Sequence, residues 1–195
     1  MAAHDPDEHR ITTAAALRDR YGAPMERALA KAGPALTAAH RAVLQVSPFF
    51  VLATVGPDGL DASPRGGPPG FLVALDDHTV AFPDHRGNRR LDSFENLLAD
   101  DRCALLVLVP GSNETLRLMG RASLHTDPDL LARVDPAHPP LAAVVVALDE
   151  VFHHCAKAPM RAKLWDPSTW PVDPPKVTSA PDSKYEGKLY GRDEA

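Results

Sequence analysis

Two stretches, Cys103 to Val109 and Leu141 to Leu148, are apolar without interruption and rich in Leu and β-branched side chains. A strand with no polar face must be covered on both sides, so each run belongs near the centre of a sheet. The remaining strand signals are short and joined by tight turns. Phe49 to Val55 passes through Gly56-Pro57-Asp58-Gly59 into Leu60 to Ser63, which predicts a hairpin. Phe71 to Leu75 and Thr79 to Phe82 predict a second across Asp76-Asp77-His78, and Pro110-Gly111-Ser112-Asn113 leads into a long strand, Thr115 to His125, with Gly120 as its bulge or bend. Six to seven strands in this order do not alternate with helices as βαβ units. The expected class is mainly β with flanking helices, a closed or nearly closed antiparallel barrel.

Helical signals lie at the margins. Thr13 and Thr37 are placed to cap helices ending near Arg20 and Val46, and Met25, Ala28, Leu29 and Ala32 have helical spacing between them. Leu91, Phe94, Leu97 and Leu98 form one apolar stripe, Asp127 to Val134 reads as a short capped helix, and His153 to Leu164 has helical composition interrupted by Pro159. The expected organisation is a helical extension over 1–46, a barrel over 47–166, and a tail over 167–195 packed on the barrel or on a dimer partner.

A net charge of −5 argues against the broad basic surface that duplex nucleic acid requires. Two cysteines offer no disulfide framework, and no segment has the form of an export signal or a membrane span, so a soluble cytoplasmic protein is expected. Within this acidic chain the cations are local. Arg86, Gly87, Asn88, Arg89 and Arg90 occupy the loop between the strand ending at Pro83 and the following helix. Guanidinium forks beside a helix N-terminus suit a phosphate, although a solvated basic turn has the same composition. Arg65 precedes a break rich in glycine and proline, and Lys157, Arg161 and Lys163 form a third patch. A barrel that brought these patches to one rim would need an anion to balance them, and a phosphate attached to an electron-poor ring meets that need.

Other chemistries have less behind them. His153-His154-Cys155 places adjacent side chains on opposite faces of a strand and has no second cluster to complete a zinc site, so no metal is assigned. Cys155 beside a histidine is also compatible with a nucleophile, but a buried thiol and a satisfied histidine are the expected reading. No Gly-x-Ser-x-Gly occurs, and Glu114, Asp149 and Glu150 show no spacing that separates them from solvated charges. Trp165 and Trp170 suit either stacking on a ring or covering a barrel end.

Four segments carry a resemblance. Asp61-Ala-Ser-Pro-Arg-Gly-Gly67, Phe82-Pro-Asp-His-Arg-Gly-Asn-Arg-Arg-Leu-Asp-Ser-Phe-Glu-Asn-Leu97, Glu114-Thr-Leu-Arg117 with Gly120-Arg-Ala122, and Phe152-His-His-Cys-Ala-Lys-Ala158 with Arg161 and Leu164-Trp165 resemble the pyridoxamine 5′-phosphate oxidase-like flavoproteins over about residues 40–166. The closer likeness is to small bacterial members of mostly unassigned substrate. The resemblance implies a split β-barrel, a homodimer, and FMN in a groove at the subunit interface, with NAD(P)H as a possible electron donor. It places Ser63, Arg65 and Gly66 beside the ribityl and phosphate, Phe82, Pro83 and Asp84 along the ring, Arg86, Gly87, Asn88, Arg89 and Arg90 at the phosphate, and Lys157, Arg161 and Trp165 across the C-terminal side. It names no catalytic acid or base. The chain lacks the Arg-Leu-x-Pro ending of true pyridoxamine phosphate oxidases, so their substrate is not carried over. The implied function is an FMN-dependent oxidoreductase, with a non-catalytic flavin or haem carrier as the alternative, His153, His154 or Cys155 then serving as axial ligand.

Overall fold

The computed structural model describes residues 9–26, 30–84 and 89–175. Its contacts divide the chain into one unit ending at Trp165 and a second beginning at Asp166. In the second, the described residues include a single 3-10 turn, Pro167–Thr169, whose first turn is capped by the Asp166 carboxylate accepting from Ser168 N–H at 3.0 Å.

The first unit is organised by one antiparallel sheet. Its strands are β1 (Ala32–Gly33), β2 (Phe49–Gly56), β3 (Gly59–Gly66), β4 (Val73–Ala74), β5 (Thr79–Pro83), β6 (Arg102–Leu108), β7 (Thr115–His125) and β8 (Ala143–His154). The order across the sheet is β3-β2-β6-β7-β8-β5-β4, with β1 paired to β8. Helices α1 (Ala14–Tyr21), α2 (Ala38–Val46), α3 (Asp92–Ala99), α4 (Pro128–Val134) and α5 (Lys157–Ala162) accompany it. The sheet curls upon itself. Phe50 of β2 and Phe82 of β5 lie four strands apart along the ladder, yet their rings meet edge-on at 5.0 Å, and Phe71 stacks on Phe50 at 5.3 Å. Each central run buries one face, with Leu105, Val107, Val144 and Val146 fully buried, while Leu106 on the other face of β6 stays exposed, so the expected cover on both sides is not met within the protomer.

Strand β8 extends further than the sequence patterning expected. It runs unbroken to His154, so His153 and His154 belong to a strand, and the helix expected from His153 begins only at Lys157. Pairing with β7 along its whole length overrides the local helical composition. Pro159 sits third in α5, where its missing N–H costs nothing, and so does not break it. Ala32 was likewise expected to end a helix, but pairs with Phe152 of β8. Among the described residues the strands number eight rather than six or seven because the two-residue β1 is added, and β4 is shorter than the expected Phe71 to Leu75. Gly120 is the predicted irregularity. The β7–β8 register shifts between Met119 and Gly120, and a Cβ at Gly120 would lie 2.1 Å from the Ala147 carbonyl oxygen.

Candidate functional site: a cleft between strand β3 and helix α3

Strand β3 carries the site on one face. Asp61, Ser63 and Arg65 alternate as half-buried positions, and their partners across the ladder are Thr54, Leu52 and Phe50 of β2. Helix α3 lies against the same two strands. Asn96 donates from Nδ2 to Thr54 Oγ1 at 3.1 Å, and a Cβ at Gly56 would fall 1.9 Å from Asn96 Oδ1, so glycine admits this close approach. Ser93, itself buried, donates from Oγ to Asp61 Oδ2 at 3.0 Å, while the Phe94 ring lies under the Arg65 guanidinium at 5.2 Å. These contacts fix one wall to the other.

Between the walls opens a cleft of about 930 Å³. It is lined from β3 by Asp61, Ser63 and Arg65, from the loop and first turn of α3 by Arg89 and Arg90 through Phe94, and from beyond β5 and before β8 by Asp84, Leu141 and Ala142. The Asp84 N–H donates to the Ala142 carbonyl at 2.9 Å, which closes that end. Arg89 and Leu91 both adopt left-handed backbone, with φ of 62° and 58°. Such strain in non-glycine residues persists only where surrounding contacts impose it. No side-chain hydrogen bond caps α3, and the Phe94 and Glu95 N–H groups both donate to the Leu91 carbonyl, at 2.8 and 2.9 Å.

The cleft is charged but balanced. Arg65, Arg89 and Arg90 face Asp61, Asp84 and Asp92 among its lining residues. Arg90 and Asp92 form an ion pair at 2.6 Å, whose hydrogen bond raises the Arg90 pKa. Arg65 is held differently. Burial draws its pKa below the usual arginine value, opposed by nearby Asp84 and Asp61, and its Nε is buried with no hydrogen-bond partner. A buried donor without an acceptor is costly unless something supplies one.

Of the expected site residues, the protomer brings Ser63, Arg65, Asp84, Arg89 and Arg90 together. Arg86, Gly87 and Asn88 lie outside the described residues. Gly66 ends β3, paired with Phe49, and does not line the cleft. Phe82 and Pro83 do not line this cleft: both are buried, β5 is paired on both sides, and Phe82 packs on Phe50. Lys157, Arg161 and Trp165 line no part of this cleft, and Trp165 instead donates from Nε1 to the Ser112 carbonyl at 2.6 Å. Sequence reading passed over Asp61, Ser93 and Phe94 as site residues. The period-two relation of Asp61 to Ser63 and Arg65 was the available signal for the first. Leu141 and Ala142 had none.

Among the described residues, no group of three or more His, Cys, Asp and Glu is placed to hold a metal, and no helix is long and apolar enough to cross a membrane. Cys103 is buried, with its thiol pushed up to about 12 chiefly by that burial, and Cys155 is exposed.

Comparison with known sequences and structures bears on this architecture. The family model described as Pyridoxamine 5′-phosphate oxidase matches residues 36–155. A HupZ variant from Group A Streptococcus shares 14% identity, with 60% of this chain and 98% of that chain covered at a TM-score of 0.50, a likeness of fold. A candidate pyridoxamine 5′-phosphate oxidase from Lactobacillus delbrueckii is 24% identical over 62% of this chain and 95% of its own, with a TM-score of 0.49. General Stress Protein 26 from Bacillus anthracis is 16% identical over 57% and 88%, with a TM-score of 0.41. No curated protein matches the chain.

Proposed function

Because the chain belongs to the pyridoxamine 5′-phosphate oxidase family, with its split-barrel fold, we propose that it is an FMN-dependent oxidoreductase whose cleft between β3 and α3 receives the flavin. The observation that carries this reading is the unpartnered, buried Nε of Arg65, a donor in a cleft large enough for a nucleotide-sized ligand. Arg65, Arg89 and Arg90 with the first turn of α3 would hold the phosphate, joined by Arg86 and Asn88 from the same loop, and Ser63 would bond the ribityl chain. The bound flavin supplies hydride or electron transfer to a small organic molecule, with NAD(P)H as the proposed donor. The chain's own part is to orient the ring, exclude water and set positive charge beside it. No side chain is assigned to proton transfer.

The proposal includes a homodimer. On the outward face of the sheet, Phe49, Val51 and Ala53 of β2 lie opposite Leu108, Leu106 and Ala104 of β6. Phe49, Leu106 and Leu60 of neighbouring β3 remain exposed there. The face adjoins the cleft through β3, and in the proposed dimer a second copy covers it. Two free cysteines suit a reducing cytoplasm, where we place the protein.

A non-catalytic flavin or haem carrier is the second reading, favoured by His154, whose Nδ1 is buried without a partner. One experiment separates them. Purified protein incubated with FMN and desalted is expected to keep the flavin absorption bands and to lose them on anaerobic addition of NAD(P)H. A protein left colourless overturns both flavin readings, and a Soret band after incubation with haemin selects the carrier.

A further inference from the structure

A second cavity, of about 310 Å³, lies between α2, the β6–β7 turn and the C-terminal end of β8. It shares no lining residue with the cleft. Its walls are largely apolar, with Val43, Val109 and Leu116, and its titratable groups are His40, His153 and Glu114. His40 is also the third residue of α2 and closes a capping box: its N–H donates to Thr37 Oγ1 at 3.3 Å, and its Nδ1 accepts from Thr37 N–H at 3.2 Å. A backbone N–H can only donate. The box therefore needs an unprotonated Nδ1, which fixes His40 as the neutral tautomer with hydrogen on Nε2. Across the cavity, His153 Nε2 lies 3.1 Å from Glu114 Oε2. The other charged neighbour on α2, Arg41, is paired with Asp77.

We infer that His40 makes the start of α2 a proton-sensitive joint: the neutral ring closes the capping box, and the protonated ring opens it. Burial, followed by the charge of His153, holds the His40 pKa below the ordinary histidine value of 6.5. A depressed pKa means that the folded state prefers the neutral ring. The stabilisation is thus complete above about pH 6.5 and is lost as pH falls through the folded-state pKa. The joint does not act on the helix alone. At the far end of α2, the Ser47 carbonyl accepts from Gly70 N–H at 3.1 Å and the Pro48 carbonyl from Gly67 N–H at 3.0 Å, so the helix is tied to the loop that follows Arg65. A loosened α2 transmits to the cleft strand from behind.

The test uses the full-length protein. Long-range nitrogen-proton NMR reads the tautomer and titration of His40 directly, and thermal melts from pH 8 to pH 5.5 compare wild type with His40→Gln, which keeps an acceptor in the box but does not titrate. The expected result is an Nε2–H tautomer at pH 8, a midpoint below 6.5, and a melting temperature that falls about 2–4 °C further in wild type than in His40→Gln as pH drops below 6.5. His153→Gln should reduce that extra fall. An Nδ1–H tautomer, a midpoint at or above 6.5, or parallel pH profiles for wild type and His40→Gln would each overturn the inference. If His40→Gln fails to fold, the NMR titration of the wild type decides alone.

Discussion

Strands β2 and β3 are neighbours in one hairpin, and the same face of the sheet changes character between them. On β2 that face shows Phe50, Leu52 and Thr54, all essentially inaccessible. Directly across the ladder it shows Arg65, Ser63 and Asp61, half-buried and polar. A step of one strand, about 4.8 Å, takes the molecule from a packed aromatic core to a charged cleft. The difference lies in what covers each row. Phe71 and Phe82 close over Phe50, whereas the row on β3 meets the first turn of α3, where Ser93 and Phe94 touch it through a hydroxyl and a ring face. A sheet edge left partly uncovered is a place where polar groups can be held rigidly by an apolar neighbour and still reach a ligand.

If this division is correct, substitutions on the two strands should separate stability from binding. Phe50→Ala removes a fully buried ring that contacts two others, and should cost about 3–5 kcal/mol in urea unfolding; a loss below 1 kcal/mol would mean that the core row is no core. Its partner across the ladder should behave in the opposite way. Arg65→Met is expected to change unfolding free energy by only about 1 kcal/mol, because a half-buried cation is exchanged for an apolar side chain of similar length, while FMN affinity falls by about 1.5–3 kcal/mol, the range for hydrogen bonds to charged groups. Equilibrium dialysis with FMN reads the second quantity, and an unchanged Kd would remove Arg65 from the site. The smallest effect belongs to Ser93→Ala, which deletes one hydrogen bond between the walls and should lower stability by about 1 kcal/mol. A larger effect on FMN binding than on stability would show that Asp61 is positioned by Ser93 for the ligand's benefit.

Local chemistry made much of this visible in advance. The hairpin of β2 and β3, the apolar centre of β6 and β8, the capped start of α2 at Thr37 and the bend at Gly120 all follow from residue types within a few positions of one another. What escaped depended on partners distant in the chain. His153 and His154 have the composition of a helix start, yet β7 supplies hydrogen-bonding partners in extended form and prevails. Ala32 and Gly33 carry no strand signal and pair only because β8 leaves an edge open there. The ring of Phe82 meets Phe50, a neighbour that no local pattern reveals. Within the cleft, Arg89 and Arg90 were visible as a basic loop with Asp92 beside it, while Asp61 and Asp84 reach the cleft from other segments. Charge balance across a fold is a property of topology, so it cannot be read along the chain.

Strand β8 has one more consequence, and it concerns time. Its first half holds β5 in the sheet and its second half holds β1, so segments near residues 33, 80 and 120 all pair with residues 143–154. A ribosome releases the chain from the other end. Until β8 emerges, β5 has lost one neighbour, β7 exposes an apolar flank, and the hairpin of β2 and β3 can join only β6. Pairings of such long sequence separation make the final closure slow relative to hairpin formation. The nascent chain therefore passes through an interval in which half a sheet waits with open edges, and the demand for protection by a chaperone should end abruptly once residue 154 has cleared the exit tunnel.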